Sequence, residues 1–263
     1  MKLDWNQIVQ CIGETATKLR AHYVYDKINS TNDWQAWSGN AGEMPAICLA
    51  EQQLNGRGRN GKSWISLPHE NIYLTLVWSF EGRAETGLTG LSLAIGLAVA
   101  RLLTDLGINA KVKWPNDILI GKDKLAGILI ETKIKQTGEV IAIIGVGMNY
   151  VLSDVSREKI GRGVVDFVSA CKNQPVPSRN QLIGNLIRRL IQTCETFDQE
   201  GFSAFISAWE TYDVCSGKLV NVKDATGEWA AYALGINDQC GLKLLRNNVE
   251  HVIYAADVSI SIC

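Results

Sequence analysis

The segment Gly56-Arg57-Gly58-Arg59-Asn60-Gly61-Lys62-Ser63 fits the phosphate-binding pattern G-x-x-x-x-G-K-[ST], and its first six residues also fit the dinucleotide pattern G-x-G-x-x-G. Either pattern would commit the chain to a strand, a tight turn and a helix whose N-terminus holds phosphate. The flanks point elsewhere. Trp64-Ile65-Ser66-Leu67-Pro68 follows, a β-like stretch ending in a proline that disfavours a helix. The segment therefore reads as a cationic, glycine-hinged loop between strands. Glycine lets the backbone approach a ligand closely, and arginine offers forked donors to carboxylate or phosphate. A solvated surface loop has the same composition, so the loop alone does not decide.

Strand patterns surround it. Residues 23–29 read as a strand, followed by Ser30-Thr31-Asn32-Asp33, a cluster rich in helix-capping residues, and a glycine-containing loop. Residues 46–50 and 72–80 read as further strands. Leu88, Leu91, Ile95, Ala98, Val99, Leu102 and Leu106 recur at helical spacing, with Gly107 as a stop. Residues 111–114, 117–120, 126–134 and 140–145 give four β-like runs, the middle pair joined by the hairpin signal Gly121-Lys122-Asp123. Ser178 and Gln181 form a capping box before a helix whose apolar face is Leu182, Ile183, Leu186, Ile187, Leu190, Ile191 and Cys194. A second helix is predicted at 202–212. From residue 214 the pattern becomes short strands, at 218–222, 228–235, 241–245 and 251–257. The chain thus reads as an α+β fold, a mixed, antiparallel-rich sheet with helices over residues 1–213, plus a small β-barrel over 214–263. About 50 residues make a marginal core, so the barrel is expected to lean on the larger domain.

Composition narrows the partners. Hydrophobic residues make up 46% and charged residues 20%, with a net charge of -1 and no basic block, so neither nucleic acid nor an anionic membrane is indicated. The longest apolar run, Gly87 to Leu103, is broken by Arg101 and glycines and falls short of a membrane helix. Seven widely spaced cysteines with no C-x-x-C pair imply reduced thiols in a cytoplasmic protein. Three scattered histidines argue against a zinc site or a histidine-based triad.

Three further clusters accompany the loop. Lys113-Trp114-Pro115-Asn116-Asp117 puts a cation, an aromatic, an amide and a carboxylate within five residues. Lys124-Leu125-Ala126-Gly127-Ile128-Leu129-Ile130-Glu131 places a lysine at the start of a buried strand, and Gly145-Val146-Gly147-Met148-Asn149 ends a strand with two glycines and an amide. Singly, these are a strand end, a hairpin with an edge lysine, and a bulge. Together and in this order, with Ser30-Thr31-Asn32, Gln53 and Trp64, they resemble the biotin protein ligases. The resemblance spans residues 30–149, and the C-terminal region is compatible with that family's SH3-like domain. Two departures stand out. Lys62 occupies a position where relatives often carry arginine, and only about 22 residues precede the first strand, which implies the short class without an N-terminal DNA-binding domain.

The resemblance implies a class II synthetase-like catalytic domain using ATP, Mg2+ and biotin, with a biotin carboxyl carrier protein, such as the acetyl-CoA carboxylase subunit, as partner. Biotin's carboxylate attacks the α-phosphate of ATP to give biotinyl-5′-AMP, and a carrier lysine then takes the biotin and releases AMP. By the same resemblance, Ser30, Thr31, Asn32 and Gln53 bind the biotin ring, and Arg57, Arg59 and Lys124 face the carboxylate and α-phosphate as the catalytic cations. Gly58, Gly127, Gly145 and Gly147 allow close approach to biotin. Trp64, Lys113, Asn116 and Asn149, with Arg59 and Lys124, serve the adenylate, and Asp117 holds magnesium. The loop 56–63 is expected to be disordered without ligand and to close over it. Monomers and sheet-to-sheet homodimers both occur in the family. A lipoate ligase or octanoyltransferase, a non-catalytic biotin-binding regulator and a P-loop ATPase are the competing readings.

Overall fold

The computed structural model describes residues 2–34, 43–81, 83, 87–161, 163–172, 174–225, 227–255 and 258–262. The glycine-containing loop before residue 43, any helix capped by Ser30–Asp33, and the end of the strand predicted at 251–257 fall partly or wholly outside those residues.

A seven-stranded sheet carries the larger part of the chain. Its strands are β1 (Ala21–Tyr25), β2 (Ala46–Ala50), β3 (Asn71–Phe80), β4 (Ala110–Lys113), β5 (Asp117–Ile120), β6 (Asp123–Ile134) and β7 (Val140–Asn149), in the spatial order β1-β2-β3-β7-β6-β5-β4. Every pairing is antiparallel except β1 with β2. The first strand is earlier and shorter than the 23–29 expected. Residues 26–29 leave the ladder, where only Ile28 bridges Gln53.

Alternation along these strands sorts two faces. Ile47, Leu49, Ile72, Leu74, Leu76, Ile128, Ile144, Val146 and Met148 face one way and join the main core with the helices α1 (Trp5–Ile12), α2 (Leu91–Asp105) and α5 (Arg179–Glu200). The capping box at Ser178 and Gln181 is formed, and all seven apolar residues predicted for the α5 face are fully buried. Asp4 caps α1, whose single buried pair Ile8 and Ile12 is too short a pattern to have announced it. The helices α3 (Asp154–Ile160) and α4 (Phe167–Cys171) were likewise not foreseen. The expected helix at 202–212 is a 3-10 turn running into α6 (Ile206–Tyr212).

The C-terminal strands β8 (Leu219–Asp224), β9 (Gly227–Ile236), β10 (Leu242–Arg246), β11 (Val249–Ile253) and β12 (Ser259–Ile262) form a second, antiparallel sheet in the order β11-β10-β9-β8-β12. Among the described residues β11 and β12 do not pair with each other, so the expected barrel is an open sheet in its hydrogen bonding. After β11, Tyr254 donates its hydroxyl to Gln239 at 2.8 Å, and the Ala255 carbonyl accepts from Arg59. The sheet does lean on the larger part. Val220, Val222, Ala231, Ala233, Leu242, Leu244 and Ile260 share one core with Trp114, and Trp114 Nε1 donates to the Cys240 carbonyl at 3.0 Å.

Candidate active site

The sheet face opposite the helices carries the predicted residues, and register explains how. Lys113 pairs with Asp117, and Asp117 pairs with Gly127, so these three side-chain positions share a face. Strict alternation from Gly127 would put Lys124 on the opposite face. A bulge intervenes: Ile118 pairs with Ala126 but Leu119 pairs with Lys124, leaving Leu125 as the extra residue. Lys124 is thereby returned to the face of Asp117. Its Nζ forms an ion pair with Asp117 Oδ1, while Lys113 Nζ holds Asp117 Oδ2 at 2.9 Å. All three side chains are at most one-fifth exposed. Burial alone would push the Asp117 carboxyl up; Lys124 and Lys113 outweigh it and hold its pKa below the usual carboxylate value.

Beside this cluster lies a cavity of about 120 Å³ lined by fifteen of the sixteen residues predicted for the site, all except Asn149. Residues 30–32 form its far wall. The Gln53 Oε1 accepts from the backbone N–H and the hydroxyl of Thr31, at 2.8 and 3.1 Å. Asn32 is spent on the protein itself: its Oδ1 accepts from Thr75 at 2.7 Å, and its Nδ2 donates to Glu131 at 2.9 Å and to the Leu129 carbonyl at 3.3 Å. The strand glycines make room for these side chains. A Cβ on Gly145 would lie 2.3 Å from Asn32 Oδ1, and one on Gly147 would lie 2.8 Å from the Trp64 ring. Gly127 accommodates both Lys124 and Trp64 in the same way.

The glycine loop closes the near side. Asn60 and Gly61 take left-handed conformations, φ 55° and 70°, and an extended segment rather than a helix follows, which removes the P-loop and dinucleotide readings. Arg59 reaches out of the loop to the Ala255 carbonyl and to Asn116 Oδ1 at 3.5 Å. Arg57 does not point at the lysine cluster. It pairs with Asp33 at 2.6 Å and Glu131 at 3.3 Å, and its hydrogen bond to Asp33 raises its pKa. Asn116 also donates to the Ile128 carbonyl at 2.7 Å. Trp64 lies under the Lys124 ammonium, 5.4 Å from Nζ to a ring centroid.

Asn149 is buried one cavity further on. Its Nδ2 donates to the carbonyls of Lys124 and Val165 at 3.2 and 3.1 Å, fixing the start of β6. That second depression, of about 370 Å³, shares Lys62, Ser63, Trp64 and Lys124 with the first and adds Lys159, Ile160 and Val164.

Asp117 does not fit a metal held by the protein. Each of its oxygens is in an ion pair with a lysine, and no group of three metal-ligating side chains exists among the described residues. The sequence reading also missed part of the lining. Tyr73, Leu74, Ile128, Leu129 and Val146 follow once the strands predicted at 72–80 and 126–134 are both paired with the one beginning at 140. Val258, Ser259 and Ile260 carry no sequence signal for a place at this cavity.

A cationic cluster stands beside an amide-lined cavity that shares Trp64 and Lys124 with a second depression, an arrangement chemically suited to an anionic ligand. Residues 23–149 match the biotin/lipoate A/B protein ligase family. The chain is 34% identical over 229 residues to the bifunctional ligase/repressor BirA of Escherichia coli, covering 86% of this chain and 70% of that protein. It is 31% identical over 173 residues to the biotin–[acetyl-CoA-carboxylase] ligase of Mycobacterium tuberculosis, covering 64% and 61%. In fold it matches the biotin protein ligase from Aquifex aeolicus in complex with biotin and ATP, with a TM-score of 0.76 over 94% of this chain and 99% of that one at 21% identity. The chain belongs to the biotin/lipoate A/B protein ligase family.

Proposed function

We propose that the protein is an ATP-dependent biotin–protein ligase, which forms biotinyl-5′-AMP and passes biotin to a lysine of a biotin carboxyl carrier domain. The observation that carries this reading is a pair of neighbouring cavities that share Trp64 and Lys124 in their lining. Biotin occupies the cavity walled by Ser30, Thr31 and Gln53, where a buried polar ring meets matched donors and acceptors. Its carboxylate then lies towards Lys124, Lys113 and Arg59. The nucleotide occupies the second depression, with adenine against Trp64 beside Asn149, and its α-phosphate at the same cations. Joining two anions needs concentrated, fixed positive charge, and a lysine pair clamped by Asp117 supplies it without reorganisation. No side chain of the chain acts as nucleophile: biotin's carboxylate and then the carrier's amine do. Magnesium enters with ATP, carried by the phosphates, and Asp117 serves the lysines.

The catalytic domain is assigned to residues 1–213 and the C-terminal domain to 214–263, with Val258 to Ile260 of the latter walling the biotin cavity. The loop 56–63 opens and closes over the ligands, keeping water from the anhydride. Proteolysis tests this motion: the loop is cut in the free protein and protected by biotinyl-AMP, and equal cutting in both states contradicts it. A protein of this kind works in the cytoplasm, where ATP is abundant and its thiols stay reduced.

Exchange of labelled pyrophosphate into ATP tests the function. It is expected with biotin and absent without an acid. Exchange supported by lipoate and not by biotin would overturn the assignment.

A further inference from the structure

We infer that Glu131 is a positioning residue, the clasp that holds the arginine–glycine loop shut against the wall of the biotin cavity. This rests on the biotin ligase reading above. Three separate segments meet at its carboxylate. Glu131 Oε2 accepts from Asn32 Nδ2 at 2.9 Å and from Arg57 Nη2 at 3.3 Å, while Asp33 takes Arg57 Nη1 at 2.6 Å. Glu131 stands on β6, opposite Ile143 in the interior of the sheet, and so belongs to the rigid frame. Asn32 belongs to the 30–32 wall, and Arg57 to the loop.

The three contacts differ in kind. Asn32 is nine-tenths buried and further anchored by Thr75 and the Leu129 carbonyl, so its bond to Glu131 is part of the fixed wall. The Arg57 side chain is 39% exposed, and Glu131 is 41% exposed. Their contact can break and reform as the loop moves, and water and salt compete for it. The guanidinium divided between Asp33 and Glu131 has both forks engaged by protein carboxylates, which places it outside the lysine cluster. Arg57 therefore acts on the ligands through the loop it fastens, leaving Arg59 and the two lysines to meet them. Fastening the loop lengthens the life of the bound adenylate and leaves the chemical step at Lys124 unaltered.

The test is Glu131→Gln, which keeps an oxygen where Asn32 and Arg57 both donate and removes the negative charge that pairs with the guanidinium. With the full chain, biotinyl-AMP is formed in place and its release is followed by chase with unlabelled adenylate. Release is expected to be about fivefold faster than in the parent, with single-turnover pyrophosphate formation unchanged. Raising salt accelerates release in the parent and does so less in the variant, where Asp33 alone still pairs with Arg57. Arg57→Lys, which retains charge and loses the fork, gives the same acceleration, and the double variant gives no more than either alone. Equal release from parent and Glu131→Gln, or full additivity with Arg57→Lys, would overturn the clasp. So would an effect on pyrophosphate formation alone. If the parent itself forms no adenylate from biotin and ATP, it is the function assignment that fails, and the two failures are distinct.

Discussion

Both oxygens of Asp117 are engaged by lysines, and the arrangement gives the carboxylate a different task from the one its position in Lys113-Trp114-Pro115-Asn116-Asp117 suggests. Removing one partner of a buried pair leaves the other charges uncompensated. Asp117→Asn is therefore expected to cost about 3 kcal/mol in denaturant unfolding at neutral pH. Because the folded pKa is depressed, the contribution is present above the usual carboxylate pKa of about 3.9 and is lost as pH falls through the lower folded value. Parent and variant stabilities should converge in that acid window. The magnesium concentration for half-maximal activity should not change; a large rise in the variant would restore Asp117 as a metal ligand. Lys124→Ala should slow biotin-dependent pyrophosphate release roughly 100-fold, the cost of one well-placed charge-stabilising group. Near-normal release would remove Lys124 from the chemistry. The residue identities here were legible in the sequence, but their partners were not. Thr75 and Glu131 meet Asn32 from 43 and 99 residues away, and no local pattern encodes such a meeting.

At the scale of elements, what was legible followed from periodicity and turn chemistry. The 182–194 apolar face, the Ser178 box and the β5–β6 hairpin each repeat or punctuate locally, and each is present. The bulge at Leu125 is the counterexample. It reverses the facing of Lys124 relative to Gly127, and the alternation in the sequence gives no sign of it. The β7 glycines show a second limit: they could be read as openings for a ligand, but Asn32 and Trp64 occupy the space. Gly145→Ala follows from this. Its Cβ would meet Asn32 Oδ1 at 2.3 Å from a central strand, so the 30–32 wall must shift. A loss of roughly 1–3 kcal/mol in thermal unfolding is expected, with weakened biotin binding by calorimetry. Unchanged affinity would show that the wall does not set the cavity.

At the scale of the molecule, the two sheets share a core and a cavity wall. Trp114 belongs to the same five-residue block as Lys113 and Asp117, yet it is 1% exposed and spends its indole N–H on Cys240. The block thus points two ways, with its charges on the site and its aromatic ring against the second sheet. Trp114→Phe should cost at least about 1 kcal/mol for the lost hydrogen bond, more if the smaller ring leaves a gap. It should also lower activity, because Arg59 is braced by Ala255. Activity equal to the parent's, with stability reduced, would confine the second sheet to a structural part. That β11 and β12 do not pair among the described residues was beyond the sequence, since strand lengths and turns are the same in a closed barrel and an open sheet.

Mass analysis of a carrier domain distinguishes biotin transfer from lipoate transfer and from binding alone. A biotin carboxyl carrier domain is incubated with the protein, ATP and magnesium, with either biotin or lipoate. The carrier is expected to gain one biotinyl group at its acceptor lysine, dependent on ATP, and to gain nothing with lipoate. A carrier that gains lipoyl alone, or that stays unmodified while the protein binds biotin tightly, would contradict the biotin–protein ligase assignment.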